Sequence, residues 1–166
     1  MEKPLKIVIV GASGKMGQTL IQAITNDQDL LLSGAIDQSS CKNFGIDAGL
    51  LFGIKTEVKI DDDYESAIKN GDFIIDFTRP EASMNYLEMC IKYKKKYVIG
   101  TTGFSDKEKE KIFLASKEIP ICFAPNMSIG INLLISLAEE ATKVLHKDYD
   151  IEIIESHHNE KIDSPS

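Results

Sequence analysis

Three glycines at a spacing of three, Gly11, Gly14 and Gly17, stand between the apolar run "IVIV" (7–10) and a helix-like pattern. Glycines at such a corner let the chain turn tightly, let backbone approach a ligand, and let the helix pack closely on the strand. A dinucleotide pyrophosphate rests on the first helix of an open α/β sheet, where the N–H groups and the dipole favour an anion. The stretch reads G-x-x-G-x-x-G, so Ser13 stands where the strict dinucleotide pattern has its second glycine. The context supports the site. The motif follows a first strand, opens a helix, and leads to a second apolar run ending in Asp37, 20 residues past Gly17. A carboxylate there can accept hydrogen bonds from an adenosine ribose. The competing reading is a strand-to-helix corner that binds nothing. Lys15 adds a cation near the expected phosphates. Gln38 offers none for a 2′-phosphate, and Asp37 would repel one. That favours NADH, and Lys15 keeps NADPH open.

Sites in such folds lie beyond the carboxyl ends of the strands. Three later strand ends carry usable groups: Thr78 and Arg79; Gly100, Thr101 and Thr102; and Ala124, Pro125, Asn126 and Met127. Each corner alone is ordinary turn chemistry; three on one sheet edge point to a ligand. Near the end, "ESHHNEKIDSPS" places His157, His158 and Lys161 together. Histidine can act as an acid near neutral pH, and lysine can deliver a proton or hold a carboxylate. The alternative is a polar surface loop. Adjacent histidines point apart in a strand, and no cysteine or carboxylate spacing completes a metal set, so no metal is expected.

The elements that must position these residues alternate. Strand-like runs are 5–10, 30–37, 72–78, 96–102, 120–126 and 150–156, with helical stretches at 14–25, 61–69, 80–93, 105–117 and 129–146. Pro80 with Glu81, and Ser105 with Asp106, read as helix starts. This order predicts an α/β fold, a doubly wound parallel sheet with helices on both faces. Residues 38–60 break the rhythm as a long, glycine-punctuated connection with at most a short strand near its end.

The bulk properties bound the function. The chain has 166 residues and a formal net charge of −7. That charge argues against a nucleic-acid partner, which needs a basic face. Cys41, Cys90 and Cys122 are odd in number and far apart, which fits a reduced, cytoplasmic setting. No apolar run approaches membrane-spanning length, so no membrane partner is expected.

With these pieces in place, the chain resembles the 4-hydroxy-tetrahydrodipicolinate (dihydrodipicolinate) reductase family. The matching motifs are "GASGKMG", "DFTRPEA", "VIGTTGF", "APNMSIGIN" and "DIEIIESHHNEKIDSPS", in family order across nearly the whole chain. The resemblance implies a Rossmann-like dinucleotide-binding domain over 1–128. It also implies, over 129–166, the start of a truncated α+β domain for substrate binding and tetramerisation. The implied activity is reduction of a cyclic imine dicarboxylate with NADH or NADPH in lysine and diaminopimelate synthesis. Carried over by motif, Gly11, Ala12, Ser13, Gly14, Lys15 and Met16 hold the pyrophosphate and Asp37 the ribose. Thr78, Gly100, Thr101 and Thr102, with Ala124, Pro125, Asn126 and Met127, complete the cofactor contacts. His157 and Lys161 are the catalytic pair, and His158 binds a substrate carboxylate. The sequence departs from the family at Gln38, where NADPH users commonly carry a cation. It also stops at Ser166, short of a Gly-Thr pair and most of a second domain, so the chain reads as a fragment of a homotetrameric parent. Two other readings stand beside this one: another nicotinamide-dependent dehydrogenase of an amino acid or semialdehyde, and a dinucleotide-binding module without turnover.

Overall fold

A computed structural model describes residues 3–145, 149–154 and 156. It divides into two units, 1–123 and 124–166. In the first unit the apolar run becomes β1 (Leu5–Val10), and the glycine motif leads into α1 (Lys15–Thr25). There follow β2 (Leu30–Ile36), β3 (Ile60–Asp61), α2 (Tyr64–Asn70), β4 (Phe73–Asp76), α3 (Pro80–Tyr93), β5 (Lys96–Ile99), α4 (Asp106–Ala115) and β6 (Ile121–Phe123). All strand pairs are parallel. The six strands lie in the order β3-β2-β1-β4-β5-β6. The chain thus winds outward from β1 to one edge, then returns to the other side of β1. The crevice where it reverses, between β1 and β4, is where such sheets bind ligands.

β1 shows why both faces must be covered. Val8 and Val10 enter one core with Ile68, Ile74, Leu87, Tyr97 and Ile112. Ile7 and Ile9 enter the other, with Ile21, Ile24, Leu32 and Ile60. The helices supply matching stripes: Gly17, Ile21 and Ile24 from α1, and Ser83, Leu87 and Cys90 from α3, each at the i, i+4, i+7 spacing of one helix face. Full burial of a side chain such as Ile9 or Ile21 contributes about 2 kcal/mol each. The expected caps are present. Pro80 occupies the first turn of α3, and Ser105 forms a reciprocal capping box with Glu108 at α4.

The long connection 38–60 takes the place of a helix. It lays Cys41, Ala48, Phe52 and Val58 over the α1 face of the sheet. Its backbone is tied by one side chain. The Asp47 carboxylate accepts from the Gly49 N–H (2.9 Å), the Thr56 N–H (3.1 Å), the Thr56 hydroxyl (2.8 Å) and the Glu57 N–H (2.6 Å). Desolvation pushes the Asp47 pKa up, but these hydrogen bonds outweigh it and hold the group below its ordinary value.

The second unit contains α5 (Ile129–Leu145). The expected strand 150–156 is not formed at its described positions. A strand exists only as a member of a ladder, and the described residues of this unit supply no neighbouring strand. No helix among the described residues is long and apolar enough to cross a membrane.

Candidate functional site

The strand ends are level across the sheet. Val10 pairs with Asp76, Asp76 with Ile99, and Ile99 with Phe123. The chain therefore leaves β1, β4 and β5 side by side, at Gly11, Phe77 and Gly100. Above the reversal point lies a cleft of about 540 Å³. Gly11, Ser13, Gly14 and Asp37 line one wall, and Phe77, Thr78, Arg79 and Tyr86 the other.

The glycine turn is built for close approach. Gly11 has φ +75°, in the left-handed region, and a Cβ there would fall 2.8 Å from the Thr78 methyl. A Cβ on Gly17 would fall 2.2 Å from the Gly11 carbonyl oxygen and 2.9 Å from the Ala12 Cα, so α1 sits directly against the turn. The Gly11 and Ala12 N–H groups both donate to the Ile36 carbonyl (2.8 and 3.0 Å), joining the turn to the end of β2. The Ala12 side chain is buried. The Ser13 N–H donates to one Asp37 oxygen and the Gln38 N–H to the other, each at 2.8 Å. The Gln18 side chain donates to the Ser13 carbonyl at 2.9 Å. The N–H groups of Gly11, Ala12 and Ser13 are thus taken up by Ile36 and Asp37, which makes the first turn of α1 the candidate place for an anion. That turn begins from Gly14, which has no side chain to cap it, and it contains no acidic residue. A helix start with no side-chain cap and no acidic residue in its own first turn suits a phosphate group. Asp37 keeps further lone pairs for a ribose hydroxyl. These donors and acceptors fit a dinucleotide. Lys15 and Met16 begin α1 as exposed side chains.

The opposite wall holds what sequence reasoning missed. Asp76 is fully buried at the end of β4. Its Oδ1 accepts from the Thr78 N–H (2.8 Å), the Thr78 hydroxyl (2.6 Å) and the Thr101 hydroxyl (3.1 Å). Its Oδ2 accepts from the Ser83 and Tyr97 hydroxyls, both at 2.5 Å. The Gly100 N–H donates to the Asp76 carbonyl at 2.8 Å. Thr78 thereby turns its hydroxyl to Asp76 and its methyl to Gly11. The Thr101 side chain is buried in the same cluster. A carboxylate inside the apolar run "DFIIDF", trailed by Thr78, Ser83 and Thr101, was the available signal.

Three protonated groups surround this carboxylate. Burial, then the charge of Asp76, raises the Tyr97 phenol well above its usual range. Tyr86 is pushed up to about 12 by burial, then by Asp76 and Asp37. Cys90 is pushed up to about 12 by burial, then by Asp76. The folded chain keeps these protons at a pH where the unfolded chain has released them, so stability falls as pH rises. We expect chemical-denaturation midpoints to hold up to about pH 9 and to drop steadily towards pH 12. A midpoint flat across that window would mean these groups are wet in solution.

Ala124, Pro125, Asn126 and Met127 open the second unit. Asn126 organises the start of α5. Its side-chain oxygen accepts from the Ser128 N–H (2.9 Å), and the Asn132 amide donates to the Asn126 and Ser128 carbonyls (3.1 and 2.8 Å). His157, His158 and Lys161 lie outside the described residues.

Comparison with known proteins follows the same division. The family model described as dihydrodipicolinate reductase, N-terminus, matches residues 5–127, and the model for its C-terminus matches 130–166. The chain belongs to the dihydrodipicolinate reductase family. A 4-hydroxy-tetrahydrodipicolinate reductase of Neisseria meningitidis serogroup C is 44% identical over 163 residues, covering 98% of this chain and 61% of the relative. The corresponding reductase of Laribacter hongkongensis is 46% identical over 162 residues, with the same coverage. A dipicolinate-bound dihydrodipicolinate reductase from Paenisporosarcina sp. TG-14 superposes with a TM-score of 0.75 at 29% identity, over 98% of this chain and 62% of that one. The chain thus spans about three-fifths of the length of these reductases. A biliverdin reductase from Synechocystis, at 14% identity and a TM-score of 0.60, shares the fold. Within the reductase family, the N-terminal match contains the whole described cleft.

Proposed function

We propose that this chain carries the NADH- or NADPH-binding part of a 4-hydroxy-tetrahydrodipicolinate reductase of lysine and diaminopimelate biosynthesis, working in the cytoplasm. The observation that carries the reading is the glycine turn opening an uncapped α1 opposite Asp37, at the reversal point of the sheet. The matches over 5–127 and 130–166 support it, and we draw the boundary between a dinucleotide domain and a substrate domain at 128/129. The first turn of α1 would hold the pyrophosphate, with Lys15 beside it, and Asp37 the adenosine ribose. Thr78, the corner Gly100–Thr102 and the segment Ala124–Met127 complete the cofactor contacts. Bound there, a reduced nicotinamide supplies a hydride to the ring carbon of the substrate. His157 and Lys161 are assigned the proton transfer and His158 a substrate carboxylate; a dianionic substrate needs such cationic donors. The whole reductase is proposed to be a homotetramer acting on a small dicarboxylate.

The test is a titration of the 166-residue chain with NADH and NADPH, followed by nicotinamide fluorescence, with and without pyridine-2,6-dicarboxylate. We expect NADH to bind no more weakly than NADPH, given Asp37 followed by Gln38. The dicarboxylate should tighten NADH binding about fivefold or more, and Lys161→Ala should remove that tightening. Nucleotide binding that ignores the dicarboxylate would restrict the chain to dinucleotide binding. No binding of either nucleotide would overturn the reading.

A further inference from the structure

The cleft has one wall made by the glycine turn and another made by the corner after β4. That second wall has no glycine motif; it runs into α3 through Arg79, the N-cap residue, whose carbonyl accepts from the Ser83 N–H at 2.9 Å. Its residues Phe77, Thr78 and Arg79 leave the sheet beyond the last strand pairing. What joins them to the corner after β5 is the buried carboxylate beneath. We propose that Asp76 is the positioning residue of the cleft: its Oδ1 clamps the corners after β4 and β5 into one rigid wall, and its Oδ2 anchors that clamp in the core. The inference rests on the dinucleotide reading above.

The two oxygens divide the work. Oδ1 takes the Thr78 N–H, the Thr78 hydroxyl and the Thr101 hydroxyl, all from the corners. The Thr78 N–H also reaches the Thr101 hydroxyl oxygen at 2.9 Å, so the two corners meet directly over the carboxylate. Oδ2 takes Ser83 from the first turn of α3 and Tyr97 from β5, both inside the core. No cation stands among these partners. A buried carboxylate without a counter-ion is costly unless hydrogen bonds saturate it, and here five donor groups do so. Partners are ready for a neutral substitute as well. The Tyr97 hydroxyl also lies 3.2 Å from the Ser83 carbonyl, and the Ser83 hydroxyl 3.2 Å from that of Thr101. In an Asp76→Asn chain the amide oxygen must face the corners, because the Thr78 N–H can only donate. The amide NH2 then faces Ser83 and Tyr97, whose hydroxyls can turn to accept. Asparagine therefore keeps the clamp and weakens the anchor.

This gives a pattern that a merely structural aspartate would not produce. NADH dissociation constants and melting temperatures are measured for the wild-type chain and for Asp76→Ala, Asp76→Asn, Tyr97→Phe and Thr101→Val. We expect Asp76→Ala and Thr101→Val to weaken NADH binding about tenfold, the scale of a lost hydrogen bond. Tyr97→Phe and Asp76→Asn should melt at lower temperature yet bind within about twofold of wild type, since the corner bonds remain. The isosteric pair Thr101→Val and Tyr97→Phe carries the comparison if Asp76→Ala does not fold. Affinity that tracks melting temperature across all variants would overturn the inference and make Asp76 a core polar group only. Wild-type affinity in Thr101→Val would overturn it too. Failure of the wild-type chain to bind NADH would instead overturn the dinucleotide reading, and this inference with it.

Discussion

The Gly14→Val chain is expected to bind NADH at least about 100-fold more weakly than wild type, the cost of losing two hydrogen bonds to a charged phosphate. Its fold should survive. Gly14 has φ −71° and ψ 161°, extended backbone that a β-branched residue adopts readily. A Cβ there meets only the Gly11 carbonyl oxygen, at 3.3 Å. The side chain would instead occupy the cleft that Gly14 lines, over the first turn of α1. Losing glycine at the N-cap costs on the order of 1 kcal/mol or less, or about 3 °C in melting temperature for a chain of this size. The check is a fluorescence titration beside a thermal melt by circular dichroism. Unchanged NADH affinity would remove the phosphate assignment from this turn.

Gly17→Ala should do the reverse and lower the melting temperature by about 6 °C. The methyl group would fall 2.2 Å from the Gly11 carbonyl oxygen and 2.9 Å from the Ala12 Cα, both backbone. No flexible side-chain end can give way, and Gly11 is itself held through the Ile36 carbonyl. Overpacking of this kind costs about 3 kcal/mol, and alanine's better helix propensity returns about 1 kcal/mol. The net loss of about 2 kcal/mol sets the expected shift. A wild-type melting temperature would mean that α1 stands further from the turn than described. Two glycines of one motif thus separate: Gly17 serves the fold, and Gly14 serves the ligand.

What could be read from the sequence follows from how local each cause is. β1, α1, α3 and α4 were legible because their signals are short-range: an apolar run, the Gly17–Ile21–Ile24 stripe, Pro80 at a first turn, Ser105 before a helix. The place of Asp37 at the end of the second strand, beside the glycine turn, was legible from the β-α-β spacing, whereas its bond to the Ser13 N–H was not. The strands came out shorter than the apolar runs, since Phe77, Thr78 and Gly100 leave the ladder to form corners. The two-residue β3 lies where a short strand is expected near the end of 38–60, though it has too little sequence to show a period. Asp76 stayed hidden because its partners come from four places, Thr78, Ser83, Tyr97 and Thr101, and no local pattern joins them. Likewise, nothing in the composition of 38–60 says that it covers a sheet face.

That cover has a property of its own. Gly49, Thr56 and Glu57 all direct their N–H groups to the same carboxylate of Asp47. Turning that carboxylate away would release all three at once, so these N–H groups are coupled through a single side chain. We expect the Gly49, Thr56 and Glu57 amide protons to share one opening free energy in hydrogen exchange, and that free energy to fall as acidification protonates Asp47.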